Sequence, residues 1–374
     1  MMQGIAPAEY ERRLDLARRE MAQMGLDALL VYSWKRGQVR YISGYKPNYI
    51  SNLAMVVIPS AGEPTLLIRF PFDLERARKM SWMTDIRASG DLAGLVRDCR
   101  AILGGGNGQP GRIGLVSGDS VVDELPYTLY EMLKQALPEQ RFVPASSILE
   151  QGRLRKSPAE AELMRQSARV ADAAMAAAGQ AAQPGRTEYE VTAAAEALAR
   201  AQGAEDVLSI IAPAAWELIR PPESRLLGEN EMLVVEFAVQ LGGYYSQVPG
   251  VFHTGVPNAA QREMYAVAYA GYSAAMQAAR PGNTVGDVAR AELAALEQAG
   301  WLDWHAYDLG HGDGLDHPEI PAISPTSTMP IEAGMALCIH PGLRKPGLGG
   351  VFVGGTVLVE PQGAVPLHQV PAIL

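Results

Sequence analysis

The chain has 374 residues, of which 48% are hydrophobic and 20% are charged, and its formal net charge is −9. This length suits two domains, and this composition argues against intrinsic disorder. Because phosphate backbones attract clustered Lys and Arg, the negative charge argues against a nucleic-acid partner. No apolar run reaches about 18 residues, so we expect no membrane-spanning helix and no membrane partner. The two cysteines, Cys99 and Cys338, exclude a disulfide scaffold and indicate a reducing, cytoplasmic location.

The first 150 residues alternate predicted helices with predicted strands. Apolar residues recur at helical spacing over residues 8–24, and Gly25 follows as a helix stop signal. Further predicted helices lie at 91–103 and 127–137, and predicted strands lie at 28–32, 52–59, 64–68, 112–118 and 141–146. This alternation predicts an α/β domain with a partly parallel sheet over residues 1–150.

Residues 147–157 are predicted to link this domain to a second one. Ser157 and Glu160 form the pattern of a helix capping box, and similar patterns begin at Thr187 and Thr284. Predicted helices lie at 158–178, 188–202, 259–279 and 285–299, and predicted strands lie at 207–211, 232–239, 244–255, 335–343 and 353–361. Helix pairs that alternate with strands indicate an α+β domain over residues 157–374, in which a curved sheet is backed by helices.

Five positions in the second half resemble the ligand positions of a known metal site. They are Glu236, Gln247, His311, His340 and Gly354, separated by 11, 64, 29 and 14 residues. Together with DLGHGDGLDHPEIP (308–321) and GMALCIHPGL (334–343), they resemble the creatinase, prolidase and aminopeptidase P family. The resemblance implies a creatinase/prolidase-like N-terminal domain and a C-terminal domain with the pita-bread fold of creatinase and the aminopeptidases. It also implies a homodimer.

In the peptidases of that family, the five positions would hold Asp, Asp, His, Glu and Glu around two metal ions. This sequence keeps His311 and has Gln247, His340 and Gly354 where carboxylates would lie. Two ions need several anionic oxygens to offset about four positive charges, and glycine has no side chain to offer. The sequence therefore predicts a divergent member that has lost most of the dinuclear ligands and is not a dinuclear Xaa-Pro peptidase.

One use of the remaining pocket is acid/base chemistry without a cofactor. His311 would be the main acid/base residue, His340 its partner and Glu236 the carboxylate, because imidazole exchanges protons near neutral pH. This interpretation predicts a creatinase-like hydrolase or lyase that acts on a small, non-peptide substrate. The reaction would be hydrolysis or elimination at a C–N or similar bond.

Two alternatives stay open at this point. In the first, Glu236, His311 and His340 hold one divalent ion (Fe, Mn or Zn), since two His and one carboxylate are the composition of mononuclear non-haem iron sites. In the second, the chain is a catalytically inactive binding module of the peptidase fold. The convergence of ionisable side chains in one pocket favours an enzyme over a module.

Five further side chains are predicted to bind substrate: Arg220, Gln247, His317, Glu319 and Tyr245. The loop 212–224 matches the place of the catalytic His of creatinase, but it contains no His and holds Arg220 instead. A guanidinium there suits a substrate carboxylate or phosphate. His317 and Glu319 resemble the His-Glu pair of the family, and Asp313 is expected to line the pocket or to cap a turn.

Overall fold

The structure, a computed structural model, describes residues 5–33, 37–48, 50–104, 111–116, 125–213 and 220–369. The chain divides into two units, Met1–Arg153 and Leu154–Leu374. The division falls between the predicted domain limits at residues 150 and 157. Among the described residues, no helix is both long enough and apolar enough to cross a membrane.

The N-terminal unit is built on one mixed sheet. Its elements are α1 (Pro7–Met24), β1 (Ala28–Ser33), α2 (Gln38–Ser43), β2 (Ala54–Pro59), β3 (Thr65–Ile68), a 3-10 turn (Pro71–Asp73), α3 (Leu74–Met80), β4 (Asp85–Ala88), α4 (Leu92–Leu103), β5 (Arg112–Val116), α5 (Tyr127–Ala136), β6 (Arg141–Pro144) and α6 (Ser146–Leu154). The strand order is β4-β3-β2-β1-β5-β6. Since β1 pairs antiparallel with β2 and parallel with β5, the predicted partly parallel sheet is confirmed.

The C-terminal unit contains three sheets and four long helices among the described residues. Its elements are α7 (Pro158–Ala181), α8 (Glu188–Ala201), β7 (Asp206–Pro213), β8 (Met232–Leu241), β9 (Tyr244–His253), α9 (Ala259–Ala278), α10 (Val285–Gln298), a 3-10 turn (Leu302–Trp304), β10 (His305–Ala306), β11 (Gly310–Gly312), β12 (Glu319–Ala322), β13 (Ala336–Ile339), β14 (Gly342–Lys345), β15 (Gly349–Phe352), β16 (Gly355–Glu360) and β17 (Gly363–Pro366). The sheet orders are β7-β8-β9, β12-β11-β13-β16-β17 and β10-β14-β15.

Local sequence signals explain where the helices begin and end. Gly25 ends α1 in the left-handed conformation, with a φ of 62°. The predicted capping boxes are formed at the starts of α7, α8 and α10, by Ser157, Thr187 and Thr284. A cap of this kind contributes about 1 kcal/mol, so these signals fix helix boundaries more than overall stability.

Two predicted strands differ from the structure. The segment predicted as one strand at 335–343 is divided into β13 and β14, and the interruption contains Pro341, which has no N–H to donate to a ladder. The strand predicted at 353–361 begins at Gly355, after the separate strand β15. Part of the predicted loop 212–224, residues 214–219, lies outside the described residues.

Candidate functional site

Glu236 lies on the face of the sheet β7-β8-β9 that is turned away from α7 and α8, and it is buried there. Val235, Phe237 and Val239 of β8 join a core with residues of α7 and α8. Because successive side chains of a strand alternate between faces, Glu236 faces away from those helices. Gln247 of β9 lies opposite Ala238 and therefore shares the face of Glu236.

A second sheet presents its own row of side chains. Leu337 and Ile339 of β13 are buried in a core with residues of α9 and α10, so Cys338 and His340 face the other way. His311 lies directly opposite Cys338, and Cys338 lies directly opposite Thr356. Directly opposed residues share a face of the sheet. His311, Cys338 and Thr356 therefore form a row across three strands.

Three histidines meet at this face and form the histidine cluster (His311, His317 and His340). The ring centroid of His311 lies 5.0 Å from that of His317 and 5.2 Å from that of His340. His311 Nδ1 lies 2.8 Å from the carbonyl oxygen of Gly312, which assigns its proton to Nδ1. All three histidines were predicted site residues, and the structure brings them together.

His317 lies between two carboxylates. Its Nδ1 is 3.4 Å from Asp313 Oδ1, and its Nε2 is 3.8 Å from Glu236 Oε1. Burial would lower the pKa of His317, but the interactions with Asp313 and Glu236 outweigh burial and raise it to about 9. His317 is therefore an imidazolium at neutral pH.

His311 has the opposite electrostatic environment. Burial, followed by the neighbouring rings of His317 and His340, lowers the pKa of His311 to about 4. Burial would raise the pKa of Asp313, but His317 and His311 stabilise its charged form and keep that pKa below its usual value. One neutral and one charged imidazole therefore lie side by side, beside a fully buried carboxylate.

Cys338 joins two members of the cluster in a possible metal-binding group. One donor atom from each of His311, Cys338 and His340 lies within 4.8 Å of the others. Glu236 was predicted in this place, whereas in the structure Glu236 lies beside His317. Cys338 was not among the predicted site residues, although it lies two residues before His340, which is the spacing of side chains on one face of a strand.

Gln247 and Tyr245 of β9 border the cluster, and their predicted role in substrate binding stays a prediction. The backbone N–H of Gln247 donates to Thr356 Oγ1 at 2.9 Å. Gln247 Oε1 is buried and has no hydrogen-bond partner among the residues that the structure describes. The ring of Tyr245 lies 5.9 Å from that of His317, and its hydroxyl donates to Asp206 at 3.0 Å.

Gly354 has a backbone conformation that disfavours a side chain. Its φ is +124°, and a Cβ built there would lie 2.1 Å from the carbonyl oxygen of Ile339. Residues other than glycine rarely adopt this conformation. At this position, where the family resemblance implies a carboxylate, the backbone conformation therefore favours glycine.

Arg220 and Glu319 make ion pairs with protein groups. The guanidinium of Arg220 donates to both oxygens of the buried Glu188, at 2.7 and 3.2 Å. Glu319 accepts hydrogen bonds from Lys156 Nζ and from the backbone N–H of Asp316, each at 3.0 Å. The predicted role of Arg220 and Glu319 in substrate binding stays a prediction.

Similarity to known proteins covers both units. The family model described as Metallopeptidase family M24 matches residues 162–361, and the model of the Creatinase/Prolidase N-terminal domain matches residues 13–155. The chain is 29% identical over 374 residues to the Probable dipeptidase PepE of Mycobacterium tuberculosis, covering 97% of this chain and 95% of that protein. It is 28% identical over 244 residues to the Xaa-Pro dipeptidase of Pyrococcus furiosus, covering 64% of this chain and 70% of that protein. The solved structure of the prolidase from Pyrococcus horikoshii matches with a TM-score of 0.84 at 23% identity, over 96% of this chain and 99% of that chain.

These similarities confirm the predicted fold and correct the predicted function. The relatives are named as dipeptidases, so the prediction of a non-peptidase enzyme acting on a small molecule is wrong. The prediction that the chain is not a dinuclear Xaa-Pro peptidase is wrong for the same reason. The two alternatives, a mononuclear-metal enzyme that is not a peptidase and a catalytically inactive binding module, are wrong with it. Those predictions depended on the residues at five ligand positions, whereas the similarity to peptidases extends over both units of the chain. The loss of most dinuclear ligands stays a prediction.

Proposed function

Because the chain belongs to metallopeptidase family M24, we propose that it is a peptidase that hydrolyses the amide bond of dipeptides. The relative from Mycobacterium tuberculosis, which matches nearly the whole chain, is named as a probable dipeptidase. The relative from Pyrococcus furiosus, which matches 64% of the chain, is named as a Xaa-Pro dipeptidase. The observation that carries the proposal is the histidine cluster, in which a charged His317 lies between Asp313 and Glu236. Acid and base groups in one buried pocket suit the proton transfers of amide hydrolysis.

Glu236 and His317 are placed to perform those transfers. Hydrolysis adds the oxygen of water to the carbonyl carbon, breaks the C–N bond and delivers a proton to the amine nitrogen. In the proposal, Glu236 accepts a proton from the attacking water, and His317 donates its proton to the leaving nitrogen. Glu236 Oε1 lies 3.8 Å from His317 Nε2, so a small movement of either side chain would let the proton return to His317 and restore both groups.

A divalent metal ion is the cofactor that the family description implies, and donors in the pocket fit one ion. His340 Nδ1 is buried and lacks a hydrogen-bond partner within the described part of the chain. The proton of His311 is on Nδ1, so its Nε2 carries a lone pair that can bind a metal ion. In the proposal, His311 and His340 hold the ion, and zinc suits these nitrogen donors. When bound, the ion would polarise the scissile carbonyl as a Lewis acid.

Gln247 is proposed to orient the substrate. Its Oε1 is a buried acceptor without a partner among the described residues, and buried polar atoms normally have partners. The ammonium group or an amide N–H of a dipeptide would satisfy this oxygen. Gln247 shares the sheet face of Glu236, so a substrate bound there would lie beside the proposed base.

The test is an assay of the purified chain against Xaa-Pro dipeptides and dipeptides without proline. Zn²⁺, Mn²⁺ or Co²⁺ is added separately, and release of free amino acids is followed. We expect turnover of at least one dipeptide, with a kcat on the order of 10 per second. His311→Ala should abolish this turnover. His253→Ala is the matched control, because His253 lies at the end of β9 and accepts a hydrogen bond from the backbone of Gly255. Absence of hydrolysis with every dipeptide and every ion would contradict the proposal.

A further inference from the structure

We infer that Cys338 is the third ligand of a metal site with His311 and His340, and that this site selects a thiophilic divalent ion, above all Zn²⁺. The inference deepens the proposed function, on which its catalytic meaning rests. One donor atom from each residue lies within 4.8 Å of the other two. Zinc bonds to nitrogen and sulfur are about 2.0–2.3 Å long, so small side-chain rotations would bring all three atoms to one ion.

The strand register holds Cys338 beside both histidines. Cys338 lies directly opposite His311 on the neighbouring strand and precedes His340 by two residues. Opposed residues and alternate residues share one face of a sheet. Because β11 and β13 are interior strands of their sheet, His311 and Cys338 stand on backbone that is paired on both sides. His340 directly follows the last residue of β13.

A neighbouring oxygen lies beside one nitrogen of each histidine ring, and the other nitrogen stays available to a metal ion. The Gly312 carbonyl accepts from His311 Nδ1 at 2.8 Å, which leaves Nε2 unprotonated. Asp308 Oδ1 lies 3.4 Å from His340 Nε2, so Nδ1 is the nitrogen of His340 that stays available to a metal ion. His340 is 3% exposed, and within the described ranges its Nδ1 has no hydrogen-bond partner. Metal-ligating histidines usually have such a carbonyl or carboxylate on the second nitrogen.

The chemistry of the donors favours a soft ion. Glu236 and Asp313 flank His317, Asp308 lies beside the Nε2 side of the His340 ring, and Gly354 has no side chain. Mg²⁺ and Mn²⁺ prefer oxygen donors, whereas two imidazoles and a thiolate suit Zn²⁺ or Co²⁺. Binding would convert the Cys338 thiol to a thiolate and release one proton to solvent, which leaves the filled group with one net positive charge.

The experiment measures metal binding by the metal-stripped full chain and by two variants, Cys338→Ser and Cys99→Ser. Cys99 is the other cysteine of the sequence and is buried in the N-terminal unit, with its Sγ 3.5 Å from Met55 Sδ. Equilibrium dialysis gives the stoichiometry and affinity for Zn²⁺ and Mn²⁺. Loading with Co²⁺ reports sulfur ligation through thiolate-to-cobalt charge-transfer absorption in the near ultraviolet.

We expect one Zn²⁺ per chain, bound more tightly than Mn²⁺, and a thiolate band with Co²⁺. Cys338→Ser should weaken Zn²⁺ binding by about 100-fold or more and remove the band, since even outer-shell changes cost 10–100-fold. Cys99→Ser should leave the affinity and the band unchanged. Wild-type chain without the band, or a band that survives in Cys338→Ser, would overturn the inference.

Circular dichroism checks the folding of each variant. If Cys338→Ser does not fold, the cobalt spectra of the wild type and Cys99→Ser still decide. The sequence has two cysteines, so a thiolate band that persists in Cys99→Ser comes from Cys338. The dipeptide assay is read separately. Zinc bound through Cys338 without dipeptide hydrolysis would contradict the proposed function alone, and hydrolysis without the thiolate band would contradict the metal site alone.

Discussion

His317 Nδ1 lies 3.4 Å from Asp313 Oδ1, so a charged imidazole and a fully buried carboxylate form a pair inside the C-terminal unit. The second oxygen of Asp313 accepts a hydrogen bond from Thr356 at 2.7 Å. This carboxylate therefore connects the histidine cluster to β16, and the connection can be tested through stability.

Asp313→Asn should destabilise the folded chain by about 2 kcal/mol, because a buried hydrogen bond to a charged group contributes about 1.5–3 kcal/mol. Urea unfolding at neutral pH measures the change in the free energy of unfolding. Thr356→Val and the double variant complete a mutant cycle. If Asp313 and Thr356 share the bond, the double variant costs less than the sum of the single variants; strict additivity would show that they do not.

Gly354→Ala should destabilise the chain more than the same change at Gly347. Both glycines have positive φ, but a Cβ at Gly354 would lie 2.1 Å from the Ile339 carbonyl oxygen, whereas at Gly347 it meets nothing within 4 Å. We expect about 1 kcal/mol of backbone strain at Gly347 and about 3 kcal/mol or more at Gly354. Thermal unfolding compares the two variants. Equal costs would mean that the backbone at Gly354 moves to accept a side chain.

The buried carboxyl group of Glu292 predicts how the stability of the folded chain depends on pH. This residue of α10 is fully buried, and neither carboxylate oxygen has a hydrogen-bond partner among the described residues; His305 Nε2 lies 3.9 Å away. Burial, and then the charge of Asp308, raises the pKa of Glu292 well above 4.5. Since the folded state then binds more protons than the unfolded state, stability falls as the pH rises above about 4.5.

Glu292→Gln removes this ionisation. Its stability relative to the wild type should therefore increase as the pH rises above about 4.5, by at most about 1.4 kcal/mol per pH unit. Urea unfolding of both proteins at a series of pH values above this point measures the difference. A difference that stays constant with pH would contradict a raised pKa at Glu292.

The homodimer implied by family resemblance is a proposal about assembly. Closed two-fold dimers are the commonest oligomers of soluble proteins. Light scattering at micromolar concentration should give twice the 40.1 kDa mass of the chain. A mass equal to one chain at that concentration would contradict the proposed dimer.

Features that depend on neighbouring residues were predictable from the sequence. Ser157 and Glu160 are three residues apart, and their reciprocal hydrogen bonds start α7 where the capping pattern predicts. The order of strands and helices and the positions of His311 and His340 followed from spacing and flanking motifs. These signals were sufficient for the fold.

Features that depend on register and on distant pairing were not predictable. Cys338 belongs to the metal-binding group because it lies opposite His311, and a shift of one residue would turn it to the other face. Arg220 pairs with Glu188, which is 32 residues earlier, and that partner leaves no mark in the local sequence. The short strands β10, β11 and β12 lack an apolar pattern long enough to predict.

The most direct test of the proposed peptidase compares kcat/KM for a Xaa-Pro dipeptide between the zinc-loaded wild type and His317→Gln. Glutamine keeps a polar side chain but cannot donate the proton that His317 carries at neutral pH. We expect the wild type to hydrolyse the dipeptide and the folded variant to be slower by about 10²–10⁴-fold, the usual contribution of a general acid. Equal rates in the two proteins, or a wild type that hydrolyses no dipeptide with Zn²⁺, Mn²⁺ or Co²⁺, would contradict the proposed peptidase site.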